Sequence, residues 1–241
     1  VSHDILPLMR PAIKGYLLKE YGAWSVLIIV FLIGVGVSRS FSWSLVPLFL
    51  ALGLLINSKQ TLTKWARRTE DRTSLVVFLG QIFIATAMLL AVFGSDIPRL
   101  LPLLLLPAAY LLMNKLAGEH FILTEVLGFA LISMAAVLVK FLLTGDLDMR
   151  LFLGVALYFT ANVFKVKTML LRKMRYRVLT ILSAVFAVII YRWMNIPLII
   201  LLPLADNFIA AATLYKVKLQ TIGWMEVVKS LLFMGLFIYY Y

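Results

Sequence analysis

The chain alternates between long apolar runs and short polar segments. The apolar runs approach the roughly 17 to 25 residues that a helix needs to cross a lipid bilayer. They predict nine helices, at about 21–37, 42–57, 74–94, 97–113, 121–143, 150–164, 178–194, 196–215 and 222–240. The fourth run contains Pro98, Pro102 and Pro107, so its backbone is expected to tilt or break. We therefore predict an all-α, polytopic transmembrane helical bundle that forms a single integral membrane domain over residues 1–241.

Composition supports this class of protein. Of the 241 residues, 63% are hydrophobic and 14% are charged, against about 45–50% and about 25% in an ordinary soluble domain. A soluble fold of this length needs more polar surface, whereas a bilayer accepts apolar side chains on the outside of the fold. These values exclude a water-soluble globular protein.

The net charge of +12 would indicate nucleic acid as a partner if the protein were soluble. Here the basic residues interrupt the apolar runs, so we interpret them as charges of cytoplasmic loops and expect no nucleic-acid partner. With nine helices, 17 of the 23 lysines and arginines fall on one side of the membrane and four on the other. This asymmetry predicts a cytoplasmic amino terminus, with residues 1–20 as a tail, and a carboxyl terminus outside.

Two predicted cytoplasmic loops, 58–73 and 165–177, are basic and amphipathic. Segments of this kind favour short helices in the headgroup region. One interpretation is attraction to anionic lipids and control of topology. The other is a positively charged entrance that gathers a phosphate-bearing lipid or nucleotide.

Polar side chains near the cytoplasmic ends of the predicted helices indicate a shared polar cavity, which could hold a lipid or a quinone. The alternative is that they cap helix ends or mark the water boundary. The candidate ligand-binding residues are Glu20, Asn57, Lys59, Asn114, Glu125, Asn162, Lys165 and Glu226.

Three further polar residues lie within apolar runs, where charges are costly and are candidates for function. Asp206 and Asn207 are in the middle of the eighth predicted helix. We expect Asp206 to be protonated or hydrogen-bonded to a neighbouring helix, as a relay or as a link between helices. Lys229 follows Glu226 at a spacing that lets the two charges neutralise each other. Lys140, near an outer end, can extend to the headgroups and is expected to need no partner.

Several chemistries are excluded. The chain has no cysteine, which removes disulfides, iron–sulfur clusters and cysteine nucleophiles. His3 and His120 are too few for a four-histidine dihaem cytochrome, so we exclude bis-histidine haem. No phosphate-binding glycine loop, nucleophile elbow or histidine metal pair occurs. We predict no metal site and no cofactor, and no catalytic residue can be assigned.

Short motifs resemble the YwiC-like family of prokaryotic integral membrane proteins. Lys19-Glu20-Tyr21-Gly22-Ala23-Trp24-Ser25 is similar to the Glu-His-Gly-Ala-Trp signature that opens the family, with Tyr21 at the position of its histidine. Further similarity lies at Asn114, Gly118-Glu119-His120, 124–128, 144–147 and 222–227. The resemblance implies a multi-pass protein of a prokaryotic plasma membrane.

The nine-helix arrangement also resembles UbiA-type prenyltransferases, which carry aspartate-rich motifs after their second and sixth helices. The corresponding segments here begin at Asn57 and Asn162 and lack those carboxylates. The resemblance therefore implies a related architecture without the magnesium-dependent chemistry.

Three functions remain open. The first is an accessory or structural subunit that contacts membrane lipids and partner subunits of a larger complex. The second is a transferase acting on an isoprenoid or phospholipid. The third is a small-solute transporter with Asp206 as the coupling group. The missing catalytic constellation favours the first and argues against an enzyme.

Overall fold

A computed structural model describes residues 21–67, 72–118, 121–214 and 218–241. All regular secondary structure in these residues is helical, which confirms the all-α class. They form eight continuous helical segments: α1 (Tyr21–Ser38), α2 (Leu45–Arg67), α3 (Arg72–Ala117), α4 (Ile122–Thr144), α5 (Met149–Leu171), α6 (Met174–Trp193), α7 (Leu198–Thr213) and α8 (Leu219–Tyr240).

Six of the eight described segments, α2 to α6 and α8, are long and apolar enough to cross a membrane. The other two, α1 and α7, are apolar but shorter. The chain is thus a multi-pass membrane protein.

The prediction of nine separate helices was wrong for the described residues, because the third and fourth follow each other without a non-helical residue. Within α3 an α-helix over Arg72–Phe93 ends at Gly94, whose φ of +47° leaves the right-handed helical region. A mixed segment follows, with 3-10 turns at Gly94–Asp96 and Leu101–Leu104, before α-helix resumes at Leu105. Pro98 and Pro102 lie in this segment, where prolines disturb regular α-helix.

The two basic segments that were predicted as loops are largely helical. α2 continues through Ser58 to Arg67, and α5 continues through Lys165 to Leu171. Only Arg172 and Lys173 separate α5 from α6, with Arg172 in the left-handed conformation at φ 52°. Lysine, arginine, glutamine and leucine are good helix formers, so the end of the apolar run did not mark the end of the helix.

Contacts within the chain divide it into two compact units. The first contains Trp43–Ile97 together with the start of α1. In it α2 packs along the first part of α3, and the buried Thr61 Oγ1 donates to Gln81 Oε1 at 3.0 Å. The ring of Trp24 lies against Gly53, where an added Cβ would come within 3.2 Å of it.

The second unit contains Ser25–Ser42 and Pro98–Tyr241. α5 is its central helix, since it packs against α4, α6, α7 and α8. Aromatic rings fill the contact between α5 and α8: Tyr158 stacks on Phe233 with ring centroids 3.7 Å apart. Gly154 leaves room for the ring of Phe237 and accepts a hydrogen bond at its carbonyl from the buried Tyr191 hydroxyl at 2.8 Å.

Within this second unit, α1 and α4 approach closely at a glycine. A Cβ added to Gly34 would lie 2.7 Å from the backbone oxygen of Ala136 and 2.8 Å from Cβ of Val139. Glycine at helix contacts lets membrane helices approach to this distance. The position therefore depends on the absence of a side chain.

We predict that Gly34→Ala destabilises the protein by about 1–3 kcal/mol, as overpacking of a tight contact does. The measurement is the midpoint of thermal unfolding in detergent. Gly235→Ala is the matched control, because a Cβ added there would meet no described atom within 4 Å beyond its own stretch of helix, and alanine favours helix over glycine. Equal midpoints for the two variants would contradict the tight contact.

Candidate functional site

Six polar residues of the second unit form one cluster between α5, α7 and α8. Three were predicted as ligand-binding residues of a polar cavity, and the other three as polar residues within apolar runs. The cluster consists of Asn162 and Lys165 on α5, Asp206 and Asn207 on α7, and Glu226 and Lys229 on α8. We call it the charge cluster.

Lys165 is at the centre of the charge cluster. Its side chain is 1% exposed and its ammonium donates to carboxylates from two different helices. One hydrogen bond goes to Asp206 Oδ2 and the other to Glu226 Oε1 at 2.5 Å. A buried lysine needs such partners, because an isolated buried charge is very costly.

Lys229 joins the same two acids to the two amides. Its Nζ lies 3.1 Å from Asp206 Oδ2 and 3.5 Å from Glu226 Oε1, which fits the i, i+3 neutralisation predicted for α8. It also donates to Asn207 Oδ1 at 3.0 Å and to Asn162 Oδ1 at 3.3 Å. The two lysines therefore share both carboxylates.

The charge cluster lies near the middle of its helices. Asn162 is residue 14 of the 23 in α5, and Lys229 is residue 11 of the 22 in α8. At about 1.5 Å per residue, Lys229 is about 15 Å from the start of a helix about 33 Å long. A single charge at such a depth costs at least about 2.5–3.5 kcal/mol in insertion free energy. Because two positive and two negative groups are in contact here, they reduce this cost for one another.

The geometry of α7 brings Asp206 and Asn207 to the cluster. The segment starts as 3-10 helix over Leu198–Leu204 and becomes α-helix at Ala205. Pro203, inside the 3-10 part, has no N–H to donate to a regular α-helical ladder.

Hydrogen bonds from neighbouring helices hold α7 in place. At its carboxyl-terminal end, Arg177 from α6 donates through Nε to the carbonyl of Ala211 at 2.7 Å. Asn207 is fully buried and donates to the carbonyl of Ala161 at 3.3 Å, which ties α7 to α5.

Three buried polar atoms at the charge cluster have no hydrogen-bond partner of ordinary geometry among the described residues: Tyr158 Oη, Asn162 Nδ2 and Glu226 Oε2. Tyr158 is completely buried and Asn162 is 6% exposed. Buried polar atoms in native proteins are nearly always hydrogen-bonded to protein or water. Two free donors and one free acceptor thus give the cluster capacity to bind a polar molecule.

Tyr158 was not identified from the sequence, although a signal was present. Tyr158, Asn162 and Lys165 are spaced by four and then three residues, which places them on one face of a helix. The same kind of spacing joins Glu226, Lys229 and Phe233 on α8. Phe233 stacks on the ring of Tyr158, so the two faces meet along their length.

Other residues predicted for the cavity lie elsewhere. Glu125 of α4 pairs with Lys167 of α5, with Oε2 and Nζ 2.7 Å apart; Lys167 is two residues from Lys165 and so points to a different side of the helix. Asn57 and Lys59 belong to α2 in the first unit, and Asn114 lies in the last turn of α3. Glu20 is outside the described residues.

A second polar network lies where α4 and α8 end and α5 begins, around Asp148, which is in the loop between the membrane-spanning helices α4 and α5. Asp148 caps α5 by accepting from the amides of Arg150 and Leu151, both at 3.0 Å. It also accepts from Lys140 Nζ at 2.5 Å and from the Tyr241 hydroxyl at 2.7 Å. Lys140 therefore has carboxylate partners, and the expectation that it needs none was wrong. Lys140 Nζ also lies 3.6 Å from Asp146 Oδ2 in the same loop.

The protonation of Asp148 responds to these contacts. Burial raises the pKa of Asp148, but the hydrogen bonds from Lys140, from the Leu151 amide and from Tyr241 together hold it below its ordinary value. A carboxyl with a depressed pKa stabilises the fold above its unfolded pKa, about 3.9. This stabilisation is lost as the pH falls through the folded pKa.

We predict that Asp148→Ala lowers the unfolding midpoint at pH 7, with the loss of a helix cap accounting for about 0.5–2 kcal/mol. Asp148→Asn keeps a capping oxygen and loses the charge, so it should fall between the alanine variant and the original chain. The gap in midpoint between the original chain and the Asp148→Asn variant should close as the pH falls below about 4. A gap independent of pH would contradict the role of the charge.

We predict strong coupling between substitutions in the charge cluster. Lys165→Met leaves two carboxylates against one lysine and should destabilise the protein by about 3–5 kcal/mol, as loss of one partner of a buried pair does. Adding Glu226→Gln restores charge balance and should recover much of this loss. The measurement is thermal unfolding of both single variants and the double variant. Additive losses would indicate that the two residues do not interact.

Among the described residues, no group of three or more carboxylate or imidazole side chains is arranged to hold a metal ion. The polar groups of the charge cluster are instead suited to hydrogen bonding and to binding charge.

Comparison with known proteins gives one family. The model of a family described as YwiC-like protein matches residues 17–140, just over half of the chain. No curated protein and no solved structure matches. The matched region contains Glu125 and Lys140 and ends before α5, so the charge cluster lies in the part of the chain that follows it.

Proposed function

We propose that this chain, which belongs to the YwiC-like family, moves a small charged solute across the membrane and binds it at the charge cluster. The observation that carries the proposal is the combination of four ionisable side chains near mid-helix with three buried polar atoms that have no hydrogen-bond partner in the part of the chain that the structure describes. Ionisable residues within membrane helices usually face a pathway or a binding site.

Stability alone does not explain the charge cluster. Replacing a buried ion pair by well-packed apolar residues is often neutral or stabilising. One buried lysine and three partly buried ionisable groups are therefore a costly way to hold three helices together. A role in binding charge gives a reason for their presence that packing does not.

The form of α7 supports the same proposal. Its seven 3-10 residues and nine α-helical residues extend about 28 Å together, near the hydrocarbon thickness of about 30 Å. The change of helix type comes directly before Asp206. Transporters commonly place their binding sites near the bilayer midplane at interrupted helices.

The test is uptake into liposomes that contain the purified protein. One radiolabelled probe represents each charge class: lactate for anions, choline for cations, alanine for zwitterions and ribose for neutral solutes. We predict that at least one class enters faster than into protein-free liposomes. The charge-balanced variant Lys165→Met with Glu226→Gln should reduce that rate at least tenfold, because it removes one charge of each sign.

A cooperatively unfolding protein that accelerates none of the four probes would contradict transport. The charge cluster would then act as a link between helices, as expected for an accessory subunit.

A further inference from the structure

We infer, on the basis of the proposed function, that the solute is a small monovalent anion and that it binds together with a proton carried by Glu226. The inference comes from the kinds of hydrogen-bonding capacity that remain unused. Tyr158 Oη and Asn162 Nδ2 can donate, whereas Glu226 Oε2 can accept. An anion needs donors and a proton needs an acceptor.

The free donors lie beside the positive charges. Tyr158 and Asn162 are four residues apart and occupy one face of α5. Lys229 donates to Asn162 Oδ1 at 3.3 Å. Because an ammonium group can only donate, this contact turns the amide oxygen towards Lys229 and leaves the amide NH₂ without a partner. Two ammonium groups and two neutral donors suit the oxygens of a carboxylate, since charge-assisted hydrogen bonds to anions are the strong ones.

The free acceptor identifies the proton site. Glu226 uses one oxygen, Oε1, for Lys165 at 2.5 Å and Lys229 at 3.5 Å. Its other oxygen, Oε2, is buried without a partner. A proton bound to Oε2 turns this acceptor into a donor without breaking either contact of Oε1. The ionisable groups that face Glu226 are Lys165 and Tyr158 on α5, Asp206 on α7 and Lys229 on α8 itself, with the amides of Asn162 and Asn207 completing the surroundings.

Charge balance then links the two ligands. Two lysines and two carboxylates make the unprotonated cluster neutral. A proton on Glu226 Oε2 makes it +1, and one anion returns it to zero. In a region of low dielectric constant an uncompensated charge is costly, so the proton and the anion should each favour binding of the other. Together they carry no net charge across the membrane.

The experiment measures lactate binding to the purified full chain by calorimetry at pH 5.5, 6.5 and 7.5. Lactate remains an anion throughout this range. We expect the affinity to fall by up to tenfold for each unit of rising pH, as linkage to one proton requires. Choline, of the opposite charge, should not bind.

Three variants separate the parts of the inference. Glu226→Gln imitates the protonated residue and should bind lactate with an affinity that no longer depends on pH. Asp206→Asn removes the same amount of negative charge but leaves the Oε2 acceptor of Glu226 in place. Its cluster is +1 before a proton binds, so it should bind lactate with an affinity that still falls with rising pH, but less steeply than in the original chain. Tyr158→Phe removes one donor and should weaken binding about fivefold to tenfold at every pH, with its dependence on pH unchanged.

Each failure has a distinct meaning. Persistent pH dependence in Glu226→Gln would overturn the assignment of the proton to Glu226. Uptake of choline or alanine without lactate binding would overturn the anion and leave the proposed transport standing. Absence of uptake for all four probes would overturn the proposed function itself.

Discussion

The arrangement of α5, α7 and α8 depends on the neutralisation of charge in apolar surroundings. Lys165, which is almost completely buried, contacts carboxylates from the two other helices. An unpaired charge of either sign is costly at this depth, so the lysine and the two carboxylates need one another as partners. The pairing therefore fixes how the three helices face one another more strictly than their apolar surfaces do, because one apolar side chain substitutes readily for another.

The apolar runs predicted the positions of most helices. The predicted helix ends were wrong where the backbone conformation does not follow hydropathy. α2 and α5 continue into basic segments that the pattern assigned to loops. Leucine, lysine and arginine all favour the helical backbone. A helix that contains them can therefore continue past the membrane boundary with its backbone hydrogen bonds intact. Conversely, α3 changes helix type at Gly94–Asp96, between two predicted apolar runs, but the helical segment does not end there. Hydropathy marks where lipid is, whereas backbone conformation depends on glycine, proline and hydrogen bonding.

The candidate site was accessible to sequence reasoning only in part. Asn162, Lys165, Asp206 and Glu226 stood out because polar residues are rare in apolar runs. Their pairing was not predicted, since sequence separations of 41 residues from Lys165 to Asp206 and 61 from Lys165 to Glu226 carry no information on which helices become neighbours. Glu125 shows the opposite outcome: it was grouped with Glu226 in one cavity, but it pairs with Lys167 and is not part of the charge cluster. Single-sequence reasoning identified costly residues and could not assign their partners.

The two polar networks of the second unit use the same chemical groups in different ways. At the helix ends, Asp148 accepts hydrogen bonds on both oxygens from two amides, a lysine and a tyrosine. At mid-helix, Glu226 uses one oxygen and leaves the other buried without a partner. A saturated carboxylate holds a structure together, because any change in its protonation breaks a contact. A half-used carboxylate can gain a proton while its existing contacts persist. The unused hydrogen-bonding capacity, more than the number of charges, therefore distinguishes the charge cluster as the functional centre of this chain.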